Sequence, residues 1–445
     1  MLSETYKQIL KITVPLILSS LSTQIMQIID RFLAAHISTQ SMNALSISGS
    51  YVSVITIFLS TITSITSVFT ARLNGQANFK QISSYTWQML HFSILVFAAS
   101  IPFYFYPDII CFLPEQYKNI GLGYQKILTL FIFIPTAYGA LSGFFIGLGK
   151  TGIITTSVIV SNLLNVILDI VFMFGFKDIV PAQGVTGAAI ATVIANCVGF
   201  SMLVYAFLSK YNRLKYNTSK TQFEFKRFIE CIKLGSPLAL DRIFNLGLWS
   251  AVFVLLGKTS NDLATIESIT VSLIILFSCC SDALNRGTAT VVSNLIGLKK
   301  LSEVKSSVNK FIHLNIVFGL IISIPLFLYN KILFLILGKI NGNILYLNSE
   351  LSFVFKAVLF IVFFDGIVKI FEGVFAAGGK TIFPAILNSI LLFLLVGCQT
   401  FYMYTKGTLD SIYEINYGSI AVSLISAIIL SIRYYQKKWN RIIID

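Results

Sequence analysis

Residues 161–175 read SNLLNVILDIVFMFG, an apolar run that nonetheless carries Asn162, Asn165 and Asp169. Spacings of three and four put all three on one helical stripe. A second carboxylate, Asp30, stands in the similar run QIMQIIDRFLAAHI. A carboxylate at the centre of an apolar span costs roughly 2.5–3.5 kcal/mol on insertion scales, so it needs a partner or a water-filled cavity. Two carboxylates, an amide and a hydroxyl at one level would form a hard-oxygen site, suited to a cation such as sodium. Alternatively, two neighbouring carboxylates repel one another until one of them takes up a proton. Either ion would couple movement of a second solute to a gradient. The competing reading pairs Asp30 with Arg31 or leaves it in a wet vestibule. Adjacent helical residues diverge, however, so that pair is poorly aimed.

The elements that must hold these groups are membrane spans. Of 445 residues 56% are hydrophobic and 12% charged, and the mean hydropathy is +0.81. Soluble domains carry about 25% charged residues. The composition predicts an all-α polytopic membrane protein, since only helices and closed barrels satisfy their backbone in lipid. Twelve apolar segments are long enough to cross a core of about 30 Å. They fall near 10–32, 42–70, 87–107, 124–148, 152–175 and 185–208, then near 231–256, 264–296, 311–337, 351–378, 381–404 and 415–434. No cleavable signal peptide is expected, because the first apolar stretch runs on as a full span. The cysteines (Cys111, Cys197, Cys231, Cys279, Cys280 and Cys398) show no CxxC spacing and read as small buried residues. With His36, His91 and His313 alone there is no metal cluster, and neither a phosphate loop nor a nucleophile–base set is visible. The chain is therefore not expected to be an enzyme. No cofactor is expected beyond the coupling ion, H+ or Na+, and no metal beyond that Na+.

The net charge of +14 has a topological reading. If the N terminus is cytoplasmic, the termini and even-numbered loops collect most of the Lys and Arg, including Lys210, Arg213, Lys215, Lys220, Lys226 and Arg227 of the central loop. The opposite loops hold Lys118, Lys126, Lys177, Lys258, Lys331, Lys339 and Lys406. That imbalance follows the positive-inside rule with both termini inside, and it needs no nucleic-acid partner.

The chain also repeats. KITVPLIL at 11–18 answers KLGSPLAL at 233–240, and ARLNGQ at 71–76 answers SNLIGL at 293–298, both offset by 222. GLGKTGI from Gly147 answers AGGKTIF from Ala377, offset by 230. This reads as duplication of a six-span unit: an N-terminal lobe at 1–208, a solvated linker at 209–230 and a C-terminal lobe at 231–445. Six is even, so the repeats are parallel and pseudo-symmetric about an axis along the membrane normal, an arrangement of transporters. Counted from Lys11, Asp30 lies about 28 Å along its helix, and counted from Lys150, Asp169 lies about 28 Å along its own. Both carboxylates are thus expected at one depth, with Thr192 of GVTGAAIATVIAN nearby. In the second lobe Asp282 and Arg286, Asp365 and Lys369, and Lys369 and Glu372 stand at spacings that permit intrahelical ion pairs. They read either as mutual neutralisation or as a second proton or substrate site centred on Asp365 and Asp241.

VPLILSSLSTQIMQIIDRF, GLGKTGIITTSVIVSNLLNVILDIVFMFG and GVTGAAIATVIAN resemble the multidrug and toxic compound extrusion (MATE) family over nearly the whole chain. The resemblance implies twelve spans in two V-shaped lobes. It implies a cation or proton site at Asp30, Asn165, Asp169 and Thr192, with the Ala188 carbonyl as a further ligand. The glutamate that many bacterial members carry in span 7 is replaced here by Asn245, Lys369 follows Asp365 by one turn, and Arg31 follows Asp30. The family-type site is therefore expected in the N-terminal lobe. The implied function is a monomeric antiporter in a bacterial inner membrane, exporting amphipathic cationic organic molecules by alternating access, with membrane lipid as its other partner. The alternative is a lipid-linked oligosaccharide flippase of the same superfamily. A major-facilitator transporter would need an acidic-and-basic motif absent from ARLNGQANFK, a membrane-embedded transferase would need an Asp- or His-rich face, and a scaffold would not explain paired carboxylates.

Overall fold

The computed structural model describes residues 6–106, 114–177, 179–340, 348–409 and 412–439. Among them the chain is helical, and the sole β-feature is an isolated bridge between Phe176 and Val180. In order, the helices are α1 (Tyr6–Ile37), α2 (Thr39–Ser64), α3 (Thr66–Gly75), α4 (Ile82–Phe105), α5 (Glu115–Leu130), α6 (Phe133–Gly147), α7 (Gly152–Phe174), α8 (Gly184–Phe207) and the short α9 (Lys210–Tyr216). There follow α10 (Phe225–Thr259), α11 (Asn261–Gly297), α12 (Leu301–Ile340), α13 (Asn348–Ala377), α14 (Ile382–Leu392), α15 (Gln399–Lys406) and α16 (Tyr413–Tyr435), with a π-helical turn at Phe393–Cys398 joining α14 to α15.

Ten helical stretches are long and apolar enough to cross a membrane, counting α2 with α3 and α14 with α15 as one each. An eleventh is α5 with α6, bent by 44°. The 30-residue α13, which carries Asp365, Lys369 and Glu372, completes the set, so each of the twelve predicted segments falls on a helix. Among the described cysteines no disulfide forms, and Cys398 is exposed rather than buried. Cys111 lies outside the described residues.

The chain divides into two compact units, one built on Leu10–Ala239 with Ile296–Lys299, the other on Leu240–Leu295 and the chain from Lys300 onward. The division falls inside α10, so the segment expected as a solvated linker belongs to the first unit. It is strapped to α4. Trp87 Nε1 donates to the Thr218 carbonyl (3.0 Å), Gln88 Nε2 to the Gln222 carbonyl (3.0 Å), and the Tyr85 hydroxyl to Glu230 (2.7 Å). Phe144 packs edge-on against Phe207 and Tyr216, which fastens α9 as well. Neutral donors at the start of α4 thus bind the linker backbone and the Glu230 carboxylate, while Lys210, Lys220 and Lys226 are exposed. Beside them, the exposed Lys215 ammonium donates to the Tyr211 hydroxyl (2.9 Å), and this bond lowers the pKa of the Tyr211 phenol.

The internal repeat has a local cause in helix ends. Gly149 and Gly379 adopt φ of +70° and +78°, and the following Lys150 and Lys380 donate to the carbonyls of Phe145 and Phe375, each at 2.8 Å. This is the Schellman stop, which requires a left-handed residue that glycine adopts without strain. The second repeated motif stops α3 and α11 in the same way. Ala77 and Lys299 take φ of 56° and 59°, and Asn78 and Lys300 donate to Leu73 and Leu295 at 3.0 Å.

Candidate functional site

Pro15 lies inside α1 and has no backbone N–H, so the carbonyl of Lys11 one turn earlier is left without its helical donor. The Thr151 hydroxyl, at the turn into α7, donates to that carbonyl at 2.9 Å. One turn on, the Thr155 hydroxyl donates to the Pro15 carbonyl (2.6 Å) and receives a bond from Ser19 (3.0 Å). Two turns further Asn162 Nδ2 donates to the Ser22 hydroxyl at 2.8 Å. The helices α1 and α7 are therefore zipped in parallel at a nearly constant register. Continuing it brings Asp169 onto Asp30, whose carboxyl groups lie within hydrogen-bonding reach of one another. The polar stripe of α7 is thus a fastening to α1 along most of its length, and becomes a site only at its end. Asn162, on the same stripe as Asn165 and Asp169, belongs to the fastening. Thr151→Val would leave the Lys11 carbonyl, which Pro15 frees, without its donor, a loss of about 1–3 kcal/mol. The expected result is a lower melting temperature of the purified protein with its fold retained, read by circular dichroism.

Helix α8 closes the other side, antiparallel to α7. Ser161 donates to the Ala195 carbonyl (2.7 Å), Asn165 Nδ2 to the Thr192 hydroxyl (3.4 Å), and the Gln183 N–H to the Phe172 carbonyl (2.9 Å). Thr192 in turn donates to the Ala188 carbonyl at 2.8 Å. The five residues singled out from sequence therefore come together on α1, α7 and α8, with the Ala188 carbonyl occupied by Thr192. Asp169 is fully buried. Neither of its oxygens receives a donor, nor does Asp30 Oδ1 or Asn165 Oδ1. A bond between two carboxyl groups exists only when a proton lies between them. These four oxygens are consequently a set of acceptors in want of a proton or a hard cation, and the donor set fits either.

Tyr124 of α5 lies within electrostatic reach of both carboxyls. It is packed with Ala34, Leu45, Met173, Val185, Ala188 and Ala189 in a dry cluster at the ends of α1 and α7. Sequence reasoning missed Tyr124, because α5 is amphipathic and a tyrosine at its buried face reads as ordinary core.

The second unit is organised differently. Arg242 of α10 pairs with Asp282 of α11 at 2.6 Å, so Asp282 has an ion pair between helices, and Arg286 four residues on acts on the same carboxyl. Lys369 binds Glu372 at 2.8 Å and 3.0 Å, and Glu372 also accepts from Asn388 at 2.6 Å. Asp241 accepts from Asn245 (3.0 Å) and from Ser389 (2.9 Å). Asp365 lies in the field of Lys369, Glu372, Asp282 and Arg242. Both of these α14 residues, Asn388 and Ser389, went unnoticed in the sequence, where PAILNSILL shows only an apolar run. Unlike the first site, Asp241, Asp282 and Glu372 each already have donors, and positive and negative charges alternate.

The MatE family model matches residues 15–171 and 237–398, well over half of the sequence. The chain belongs to the MatE family. The two matched stretches begin at Pro15 and Pro237, the prolines inside α1 and α10. A probable multidrug resistance protein NorM of Bacillus cereus is 22% identical over 412 residues, covering 91% of this chain and 90% of that protein. One from Oceanobacillus iheyensis is 22% identical over 424 residues, covering 92% and 91%. Against the NorM proteins of Agrobacterium fabrum and Mannheimia succiniciproducens the alignment spans about half their length, 55% and 52%. Among solved structures, a MOP superfamily transporter from Pyrococcus furiosus superposes with a TM-score of 0.84 at 14% identity, covering 98% of this chain and 97% of that one. The eukaryotic MATE transporter AtDTX14 gives 0.80 at 17%, covering 98% and 96%. This MATE protein thus has the fold of those transporters and is an integral membrane protein. The expectation that it is not an enzyme holds with the family.

Proposed function

We propose that this MATE protein is a secondary antiporter that exports amphipathic, cationic organic compounds in exchange for H+ or Na+ by alternating access. The observation that carries this reading is the buried pair Asp30–Asp169, with acceptor oxygens that no fixed donor serves. An ion arriving there removes the repulsion between two carboxylates and satisfies Asn165 and Asp169 together. Its departure leaves charge in an apolar interior, a state that favours a conformation in which water reaches the pair. An ion that binds two conformations unequally shifts their balance, and a substrate that prefers the other conformation is driven by the same difference. The names of the NorM relatives support the cargo class, and the basic loops support a bacterial inner membrane with both termini cytoplasmic. We take the working unit to be a monomer.

Purified protein in liposomes, loaded with a fluorescent cationic dye, tests the reading. Imposing a proton or sodium gradient should expel dye well above the leak of protein-free vesicles. No gradient-driven movement, across several dyes, would overturn it and favour a flippase with lipid-linked cargo.

A further inference from the structure

Glu267 of α11 is 1% exposed, and neither carboxyl oxygen has a hydrogen-bond partner. It sits in a helix turn bounded by Leu263 and Thr270. Leu263 and Ile266 belong to a large apolar cluster that gathers Val252 and Leu256 of α10, Val354 and Val358 of α13, and Met403 of α15. Lys258 on α10, Asp262 on its own helix, Glu350 and Lys356 on α13, Lys406 on α15 and Glu414 on α16 are the ionisable groups of the neighbouring elements, and none of them bonds to either carboxyl oxygen. A carboxylate with no countercharge and no donor is not sustained in such a shell, whereas a neutral carboxylic acid is.

The internal repeat makes the residue more pointed. With the offset of 222 that relates Pro15 to Pro237, the counterpart of Glu267 in the first unit is Leu45, buried in the dry cluster beside Tyr124. The fold is satisfied by leucine at this position, so packing alone gives no reason for a carboxyl group. Glu267 also stands six residues from the start of α11, about 9 Å at 1.5 Å per residue. The break between α10 and α11 is the single residue Ser260, so the path from the carboxyl to that helix end is short.

We propose that Glu267 is a proton-binding site of the second unit, neutral in the conformation described and releasing its proton when the α10–α11 end opens to water. The proton goes from the carboxyl oxygen to water, and no other bond changes. The site is separate from the Asp30–Asp169 pair and gives the antiporter a second place at which a proton gradient can act. Only the transport arm of its test rests on the antiport reading.

Infrared difference spectra of the full-length protein in lipid, titrated by pH, decide the protonation state. The wild type should show the C=O stretch of a buried protonated carboxyl at neutral pH, and Glu267→Gln should lose that band while Asp169→Asn keeps it. A band set unchanged by Glu267→Gln would overturn the proposal. Glu267→Leu, which installs the residue of the first unit, should melt no lower than the wild type, and a clear drop in its melting temperature would mean that Glu267 is held ionised by groups on which its fold depends. In the dye assay, Glu267→Gln should reduce proton-driven efflux roughly tenfold, within the usual span of coupling between two sites, and should shift its pH profile. An unaltered profile would overturn the role in transport. If the wild type moved no dye at all, the antiport reading would fall while the infrared result still decided Glu267.

Discussion

Asp169→Asn is expected to cut gradient-driven dye efflux sharply while leaving the protein folded. Asparagine keeps the volume of the side chain and one oxygen, but it neither holds a proton on a carboxyl group nor supplies negative charge to a cation. Because no donor is fixed on either oxygen of Asp169, the substitution leaves no buried group newly unpaired. It also removes a buried ionisable group whose cost at a helix centre is roughly 2.5–3.5 kcal/mol. The melting temperature should therefore hold or rise. Transport should fall by about 100-fold, toward the upper end of measured couplings between sites, since uncoupled conformational exchange moves no solute against a gradient. The comparison to make is the initial rate of efflux from liposomes against melting temperature in the same preparation. A variant that pumps at the wild-type rate would sink the assignment of the coupling site to the first unit, and with it the reading of the α1–α7 stripe.

Gly187→Val should have an effect of the same order by a wholly different route. A side chain at Gly187 of α8 would overlap the backbone carbonyl of Phe172 on α7 and crowd the N–H of Met173. Main chain cannot rotate away as a side chain can, so the two helices must separate. Overpacking of this kind typically costs 1–3 kcal/mol and here falls on the joint that also holds the bonds from Gln183 to Phe172 and from Asn165 to Thr192. The expected result is a melting temperature several degrees lower together with loss of efflux, because Thr192 and Ala188 are carried off their register against α7. Gly152→Ala is the control. Nothing lies within 4 Å of the Cβ it would add, it stands at the start of α7, and alanine favours helix by up to about 1 kcal/mol. It should melt no lower and transport as before. Equal damage from both substitutions would mean that glycine at these positions serves chain flexibility rather than close approach.

These two expectations draw on different depths of information. Asp30, Asp169, Asn165 and Thr192 were legible as candidates in one dimension, since polar groups are costly in apolar spans and their spacing places them on a stripe. Hydropathy located all twelve spans for the same reason, and the duplicated Gly-Lys-Thr turns announced the repeat because glycine is favoured at a left-handed helix stop. Periodicity, however, fixes only which residues share a face of one helix. It does not say how far one helix slides along another or what that face meets. The pairing of α1 with α7 was decided by the carbonyl that Pro15 frees and by Thr151, which finds it 140 residues away in sequence. The same limit explains why Asp282, at ion-pair spacing from Arg286, is found on Arg242 of another helix, and why Tyr124 and Glu267 escaped notice. The sequence by itself determined the class of protein, the spans, the repeat and the acidic residues that lipid would not tolerate without a purpose. Register, cross-helix partners and the dryness around each carboxyl were decided by tertiary structure alone, because they depend on hydrogen bonds and close contacts between segments whose separation along the chain carries no periodic signal.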